Sequence, residues 1–504
     1  MKVNLLYPDR DFSRQEPLPW NGQALLQDLE LRVLLDAMAG EDRLVRDVAT
    51  RCLLARTTNL ATLHYRQDVL RDCLRNSQVV REIYALTGEL AAGKRRHWLG
   101  WASSAVATRT ILSSAVQLLE FLVGLMSELC RVGREHAGEF SSEGFARFFT
   151  MLETELDEDY FARVRFHLRT LKFRRGVPIS AHLGNGNEGA EYVLRRPRSE
   201  RGGWWRRLVP MRAQAYSFRL DPRDEPGARG LSELRDRGLN LVANAVAQSA
   251  HHVESFLEAL RTELAFYIGC MNLYEHLVRL GEPVCFPTPA PPGQRRHNFR
   301  GLYDPCLALT MDRKVVGNNV DADARDLVII TGANQGGKSV FLRSIGLAQV
   351  MMQCGMFVPA ESFSANVCSG VFTHYKREED ADMKSGKFDE ELSRMSEIVD
   401  HITSDALILF NESFSATNER EGSEIARQIV RVLLERRVKV FFVTHLYDFA
   451  CGFSKARVKN VTFLRAERES DGSRTFHLVE GDPLPTCYGA DLYRAIFTTD
   501  HPVC

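Results

Sequence analysis

At 504 residues the chain has room for roughly two to four domains and a large core. Lys plus Arg equals Asp plus Glu at 65 each, so the net charge exerts no global pull toward nucleic acid or an acidic membrane, and any such binding has to come from a local patch. The eleven cysteines show no C-x-x-C or other ligand-like spacing, which argues for free thiols in a reducing cytoplasm and against a disulfide framework or a zinc site.

The opening segment Met1 to Pro8 runs straight into Asp9, Arg10 and Asp11, which leaves no apolar core for a secretory signal. Residues 1–173 read as a helical core region, with Leu26, Leu29 and Val33 on one face and a second face from Ile111 to Leu129. Over residues 174–230 the texture changes. Pro178, Gly184, Gly186, Pro197, Pro210, Pro222, Pro226 and Gly227 break any long helix, while Tyr192 to Leu194 and Tyr216 to Phe218 are β-type, so a small β or loop insertion is predicted. Within it, Arg195, Arg196, Arg198, Arg201, Arg206, Arg207 and Arg212 surround Trp204 and Trp205. Arginine on phosphate with tryptophan on bases is a pairing that nucleic-acid sites use. A solvated basic loop whose tryptophans pack on a neighbouring helix is the alternative.

Residues 231–290 predict one long helix. Past Gly238, Ala243, Val246, Ala250, Val253, Leu257, Leu260, Leu264, Tyr267, Met271, Tyr274 and Val278 follow a heptad-type seam. Such a helix is either a lever-like rod or the longest member of a bundle. Pro283, Pro287, Pro289, Pro291, Pro292 and Gly293 then mark a boundary, and residues 291–504 alternate strands and helices as an α/β domain does. The longest charge-free stretch, Ser344 to Ala360, is interrupted by Gln349, Gln353, Gly355 and Pro359, so it reads as a buried helix and no membrane segment is predicted.

The densest chemical signal lies in that last region. Gly332, Ala333, Asn334, Gln335, Gly336, Gly337, Lys338 and Ser339 spell G-x-x-x-x-G-K-S after the apolar run Leu327 to Thr331, with Val340 opening a helix marked by Phe341, Leu342, Ile345, Ala348 and Met352. The glycines let backbone N–H groups turn around a β-phosphate, Lys338 reaches the β- and γ-phosphates, and the Ser339 hydroxyl is a Mg²⁺ ligand. A second strand, Ala406 to Phe410, ends in Asn411 and Glu412. ATPases of this class place a metal-side carboxylate and then a water-activating glutamate there; Asn411 makes the first of these neutral, and Glu412 is the candidate base. A third strand, Val438 to Val443, leads to Thr444 and His445, and His445 is the candidate sensor of the γ-phosphate.

These residues resemble the ATPase domain of the MutS mismatch-repair family, itself related to ABC-type ATPases: Thr331 to Arg343, Gln349 to Pro359, the Asn411–Glu412 strand, Phe442 to His445, and Tyr488 to Arg494. Upstream, Leu60 to Leu70 and Phe266 to Cys270 resemble the family's core and lever helices more weakly. The resemblance implies an α/β P-loop NTPase domain of ABC/MutS type behind a mostly α-helical core and lever region. It further implies ATP and Mg²⁺ as cofactors, Asn334 lying along the loop toward the γ-phosphate, a cytoplasmic homodimer joined through ATPase domains, and DNA as partner.

Several features depart from the family pattern. No segment resembles the mismatch-reading domain. The Ser-Thr-Phe signature that reaches the partner's nucleotide is replaced by Ser385 to Glu391, with Ser385 and Lys387 as candidate substitutes. A C-terminal dimerisation element is expected to be absent or very short. An ATP-gated protein-interaction scaffold with weak or no hydrolysis is the other reading, favoured by Asn411 and opposed by Glu412.

Overall fold

The computed structural model describes residues 1–55, 57–97, 108–174, 176–195, 216–376, 386–456, 458–469 and 473–484. The architecture is mixed, with helices throughout and an α/β sheet region toward the C-terminus. Two compact units emerge. A helical unit comprises Met1–Val3, Gln78–Phe140 and Phe145–Arg261, and a sheet unit comprises Asn4–Ser77, Ser141–Gly144 and Thr262–Cys504.

In chain order, α1 (Gly22–Asp28), α2 (Leu31–Ala39), α3 (Arg43–Leu54) and α4 (Leu60–Arg75) come first. The expected single face through Leu26, Leu29 and Val33 does not form. Glu30 adopts φ 49° between α1 and α2, and the turn re-phases the stripe, so Leu25, Leu29, Leu31, Leu34 and Leu35 are buried while Leu26 and Val33 are only half-buried. Local chemistry fixes the next two starts: Asp42 accepts N–H bonds from Leu44 and Val45, and Asn59 from Ala61 and Thr62.

The helical unit contains α5 (Ser77–His97), α6 (Thr108–His136), α7 (Glu143–Glu155), α8 (Glu158–Leu171), the hairpin β1 (Ile179–Leu183) with β2 (Gly189–Leu194), and the first part of α9 (Glu225–Arg279). Helix α6 is long and apolar enough to cross a membrane by length and composition, yet half of its most apolar window is buried, the pattern of a core helix. Phe148 of α7 stacks on Phe256 of α9 with centroids 6.5 Å apart. The predicted β insertion is present as the β1–β2 hairpin, but Tyr216 and Phe218 are exposed and belong to no strand. Helix α9 starts at Glu225, ahead of the Gly238 start expected from the sequence. Pro226 occupies its second position, where a missing N–H costs nothing, and the Asp224 carboxylate caps Gly227 N–H at 2.9 Å. The heptad seam is buried from Ala243 to Met271, after which Leu273 and Leu277 take over and Val278 is exposed.

The sheet unit adds β3 (Thr288–Ala290), β4 (His297–Leu302), α10 (Pro305–Met311), β5 (Asn318–Asp321), β6 (Leu327–Gly332), α11 (Lys338–Gln353), β7 (Ser362–Asn366), β8 (Val371–Tyr375), α12 (Lys387–His401), β9 (Leu407–Asn411), α13 (Glu419–Glu435), β10 (Lys439–Val443), α14 (Tyr447–Lys455), β11 (Val461–Arg468) and β12 (Arg474–Glu480). Six strands run in the order β12-β11-β6-β10-β9-β8, all parallel except β12, and a four-stranded sheet runs β3-β7-β4-β5. Strands covered on both faces carry continuous apolar runs, and β6, β8 and β10 are buried at every position. Ile329, Ile408, Phe410 and Phe442 pack with Met395, Ala426, Val430 and Phe449 of α12, α13 and α14; each such burial contributes about 1.5–3 kcal/mol relative to exposure.

Residues 4–77 were expected to extend the helical core, but they cluster with the sheet unit for a physical reason. The buried Glu263 carboxylate of α9 accepts the N–H groups of Leu5, Leu6 and Phe12, and buried Arg66 of α4 donates to the Leu6 and Cys354 carbonyls. Burying a charged group is tolerated only with such partners.

Candidate functional site

Strands β6, β9 and β10 lie side by side in register, Ile330 opposite Val443 and Val443 opposite Asn411, so their C-terminal ends open at one edge. From β6 the chain turns through Ala333 to Gly337 into α11. Gly337 stands before the helix at φ 82°, a conformation that favours glycine, and a Cβ on Gly336 would come within 2.7 Å of the Ala466 Cβ. The helix N-terminus therefore opens where an anion can approach.

Lys338 is buried, and its Nζ donates to the carbonyls of Gly332 and Ala333, both at 2.9 Å. The Ser339 hydroxyl donates to Asn411 Oδ1 at 2.9 Å, joining the loop to the end of β9. Glu412 follows at φ 54°, its N–H bonded to the Val443 carbonyl. The Thr444 N–H bonds to the Ile330 carbonyl and its hydroxyl accepts from Leu446 N–H, fixing the exit of β10. That exit brings His445 Nδ1 to 3.6 Å from Glu412 Oε1, with both side chains about one-third exposed. At this distance the pair is an ion contact when the imidazole is protonated and not a hydrogen bond.

A cleft of about 670 Å³ opens over these groups. It is lined by Asn334, Gln335, Gly336, Gly337, Lys338, Ser339, Val340, Glu412 and His445, so nine of the residues singled out from the sequence meet on one surface. Gly332 and Ala333 contribute only their carbonyls to Lys338, and Asn411 reaches the site through Ser339. Lys387 is exposed at the start of α12 and does not line the cleft, while Ser385 lies outside the described residues. Arg195 is exposed at the end of β2, bonded to Ser180 Oγ at 2.7 Å. The rest of the patch, Arg196, Arg198, Arg201, Trp204, Trp205, Arg206, Arg207 and Arg212, lies outside the described residues, as does Tyr488 to Arg494.

The sequence reading missed the rest of the lining. Leu302, Tyr303, Leu307, Met311, Val315 and Val316 form an apolar wall, and Phe476 of β12, 48% exposed at φ 62°, has its ring edge 3.5 Å from the position of a Cβ on Gly337. Asn318 of β5 fixes Phe476 by donating to its carbonyl at 3.3 Å while accepting from Leu478 N–H at 2.7 Å. Asp304, also in the wall, is fully buried; burial pushes its carboxyl up, and Arg343, 2.5 Å away, opposes that shift. No local pattern announces Phe476, because its neighbours arrive by strand pairing.

The fold and cleft define a mixed helical and α/β protein with a glycine-rich loop between a parallel strand and a helix N-terminus. Residues 58–280 match the family model for the MutS2 N-terminal domain, and residues 328–501 match MutS domain V. The chain belongs to the MutS-like mismatch-repair family. It is 26% identical over 261 residues to the DNA mismatch repair protein MutS of Streptococcus agalactiae, covering 51% of this chain and 30% of that protein. It is 31% identical over 169 residues to the protein of the same name from Thermus aquaticus, covering 34% and 21%. With MutS protein homolog 4 of Mus musculus it shares 31% identity over 140 residues, covering 28% and 15%. The chain thus spans less than a third of the length of these relatives.

Proposed function

We propose that this protein is a MutS-like P-loop ATPase that binds ATP with Mg²⁺ in the cleft and hydrolyses it. The observation that carries this reading is the convergence of Lys338, the Ser339–Asn411 pair, Glu412 and His445 on one surface at the ends of three adjacent strands. Lys338 exchanges its carbonyl contacts for phosphate oxygens. Ser339 and Asn411 would hold Mg²⁺, which would supply positive charge against the phosphates. Asn334 lies along the γ-phosphate, Glu412 takes the proton of the attacking water, and His445 contacts the γ-phosphate. The apolar wall and Phe476 receive the base, an aromatic face being suited to stacking.

By family membership we extend the proposal to a cytoplasmic homodimer joined through residues 291–504, engaging DNA through the patch from Arg195 to Arg212. Isothermal calorimetry with ATP, followed by turnover with and without single-stranded, duplex and branched DNA, tests it. Micromolar ATP binding and DNA-dependent turnover are expected, and absence of nucleotide binding would overturn it. A second reading, an ATP-gated protein-interaction scaffold, is favoured by Asn411, which supplies no charge to the metal; ATP binding without measurable turnover would select it.

A further inference from the structure

The turn that carries Glu412 is unusual, since both Glu412 and Phe414 take left-handed φ values, 54° and 62°, without being glycine. Such residues cost of order 1–3 kcal/mol each and persist only where their surroundings over-determine them. The surroundings here are specific. Ser413, between the two, is fully buried, and its hydroxyl lies 2.7 Å from His374 Nδ1 and 2.6 Å from the His374 carbonyl. His374, buried on β8, directs Nε2 at the Glu391 carbonyl at 3.0 Å. A carbonyl only accepts, so Nε2 donates to the Glu391 carbonyl and the Ser413 hydroxyl donates to the His374 carbonyl. The His374 ring also stacks on Phe414, centroids 5.3 Å apart at 17°.

Glu391 lies one turn into α12. Burial raises its carboxyl, and the backbone N–H groups of Phe414 and Ala416 bonding to it oppose that rise. Its Oε2 has no hydrogen-bond partner although buried. A buried carboxylate oxygen left unsatisfied is costly, and an apolar residue would fill α12 at lower cost.

We propose that Glu391, His374 and Ser413 are positioning residues, which hold the 412–416 turn so that Glu412 faces the cleft and which make hydrolysis depend on the placement of α12. The inference rests on the reading of Glu412 as the water-activating base. None of the three lines the cleft, so they act on the reaction only through Glu412.

Three measurements on Glu391→Ala, Glu391→Gln and Ser413→Ala in the full chain test it. In single-turnover hydrolysis, Glu391→Ala and Ser413→Ala should be about 10- to 100-fold slower while ATP affinity stays within about threefold, because a misplaced base loses rate and not ground-state binding. Glu391→Gln keeps an acceptor oxygen for the two N–H groups and should recover most of the rate. In a Glu412→Gln background neither alanine should slow hydrolysis further. Amide exchange at Phe414 and Ala416 should accelerate in Glu391→Ala with β10 amides unchanged. Wild-type rates in both alanine variants, equal slowing in the Glu412→Gln background, affinity falling in step with rate, or unchanged exchange at 414 and 416 would each overturn the proposal. A wild-type protein that binds ATP but does not hydrolyse it would remove the ATPase reading alone, and the exchange measurement would still decide whether Glu391 holds the turn.

Discussion

At one end of the cleft, Asn334 to Ser339 occupy six consecutive positions from the loop after β6 into the first turn of α11; at the other, the wall is gathered from α10, the segment before β5, and Phe476, which its anchor Asn318 reaches across 158 positions. The first arrangement is a local solution to a local problem, since a short loop at a helix N-terminus is enough to meet a phosphate group. The second depends on two sheets being complete, because Asn318 meets Phe476 only when β5 lies beside β12. In the proposed reading, the contiguous end meets the phosphates and the assembled end meets the rest of the ligand.

Four variants sharpen or break this contrast. Glu412→Gln should have the largest effect, slowing single-turnover hydrolysis about 100-fold or more with ATP affinity nearly unchanged, as loss of a positioned base does; unchanged hydrolysis would remove Glu412 from the chemistry. Lys338→Ala should lower ATP affinity about 100-fold by calorimetry, the scale of a lost charge-assisted contact, and should cost AMP much less. Phe476→Ala should weaken ATP, ADP and AMP alike by about tenfold, since stacking on a base is worth about 1–3 kcal/mol. A loss that grew with the number of phosphates would place Phe476 at the wrong end and break the contrast. The smallest effect is expected of Asn411→Asp, which should lower the Mg²⁺ concentration for half-maximal turnover by about a few-fold, because a carboxylate suits this hard cation better than an amide. No shift would show that the Ser339 contact already supplies what the metal needs.

What could be read beforehand follows the same division. The loop, its strand and its helix are adjacent in sequence, so glycine spacing and apolar runs sufficed, and Asn411, Glu412 and His445 could be added because each ends an apolar strand. Phe476 was invisible because β12 reads as an ordinary strand until its pairing with β11 is known. The His374–Ser413–Glu391 network was hidden similarly, being three buried polar residues on three separate elements. Periodicity fails where one unusual residue re-phases a helix, as Glu30 does between α1 and α2, and where Pro226, a residue that favours breaks, instead opens a helix. The grouping of residues 4–77 with the sheet unit had no signal either, since Glu263 reads as one polar position on a long seam.

The buried bonds from Glu263 to Leu5, Leu6 and Phe12 bear on how the protein is made. Residues 4–77 are made before the rest of their unit, since Glu263 and the parallel strands that complete it are synthesised only after residues 78–261, most of the helical unit. Leu25, Leu34, Val48 and Leu63, all fully buried in the finished molecule, belong to that early segment. Contacts between such distant parts of the chain form slowly, and an apolar segment kept waiting is open to aggregation. The sheet unit is thus completed by a segment made well before the rest of it, which makes its assembly late relative to that of the helical unit and gives chaperones an interval in which to act.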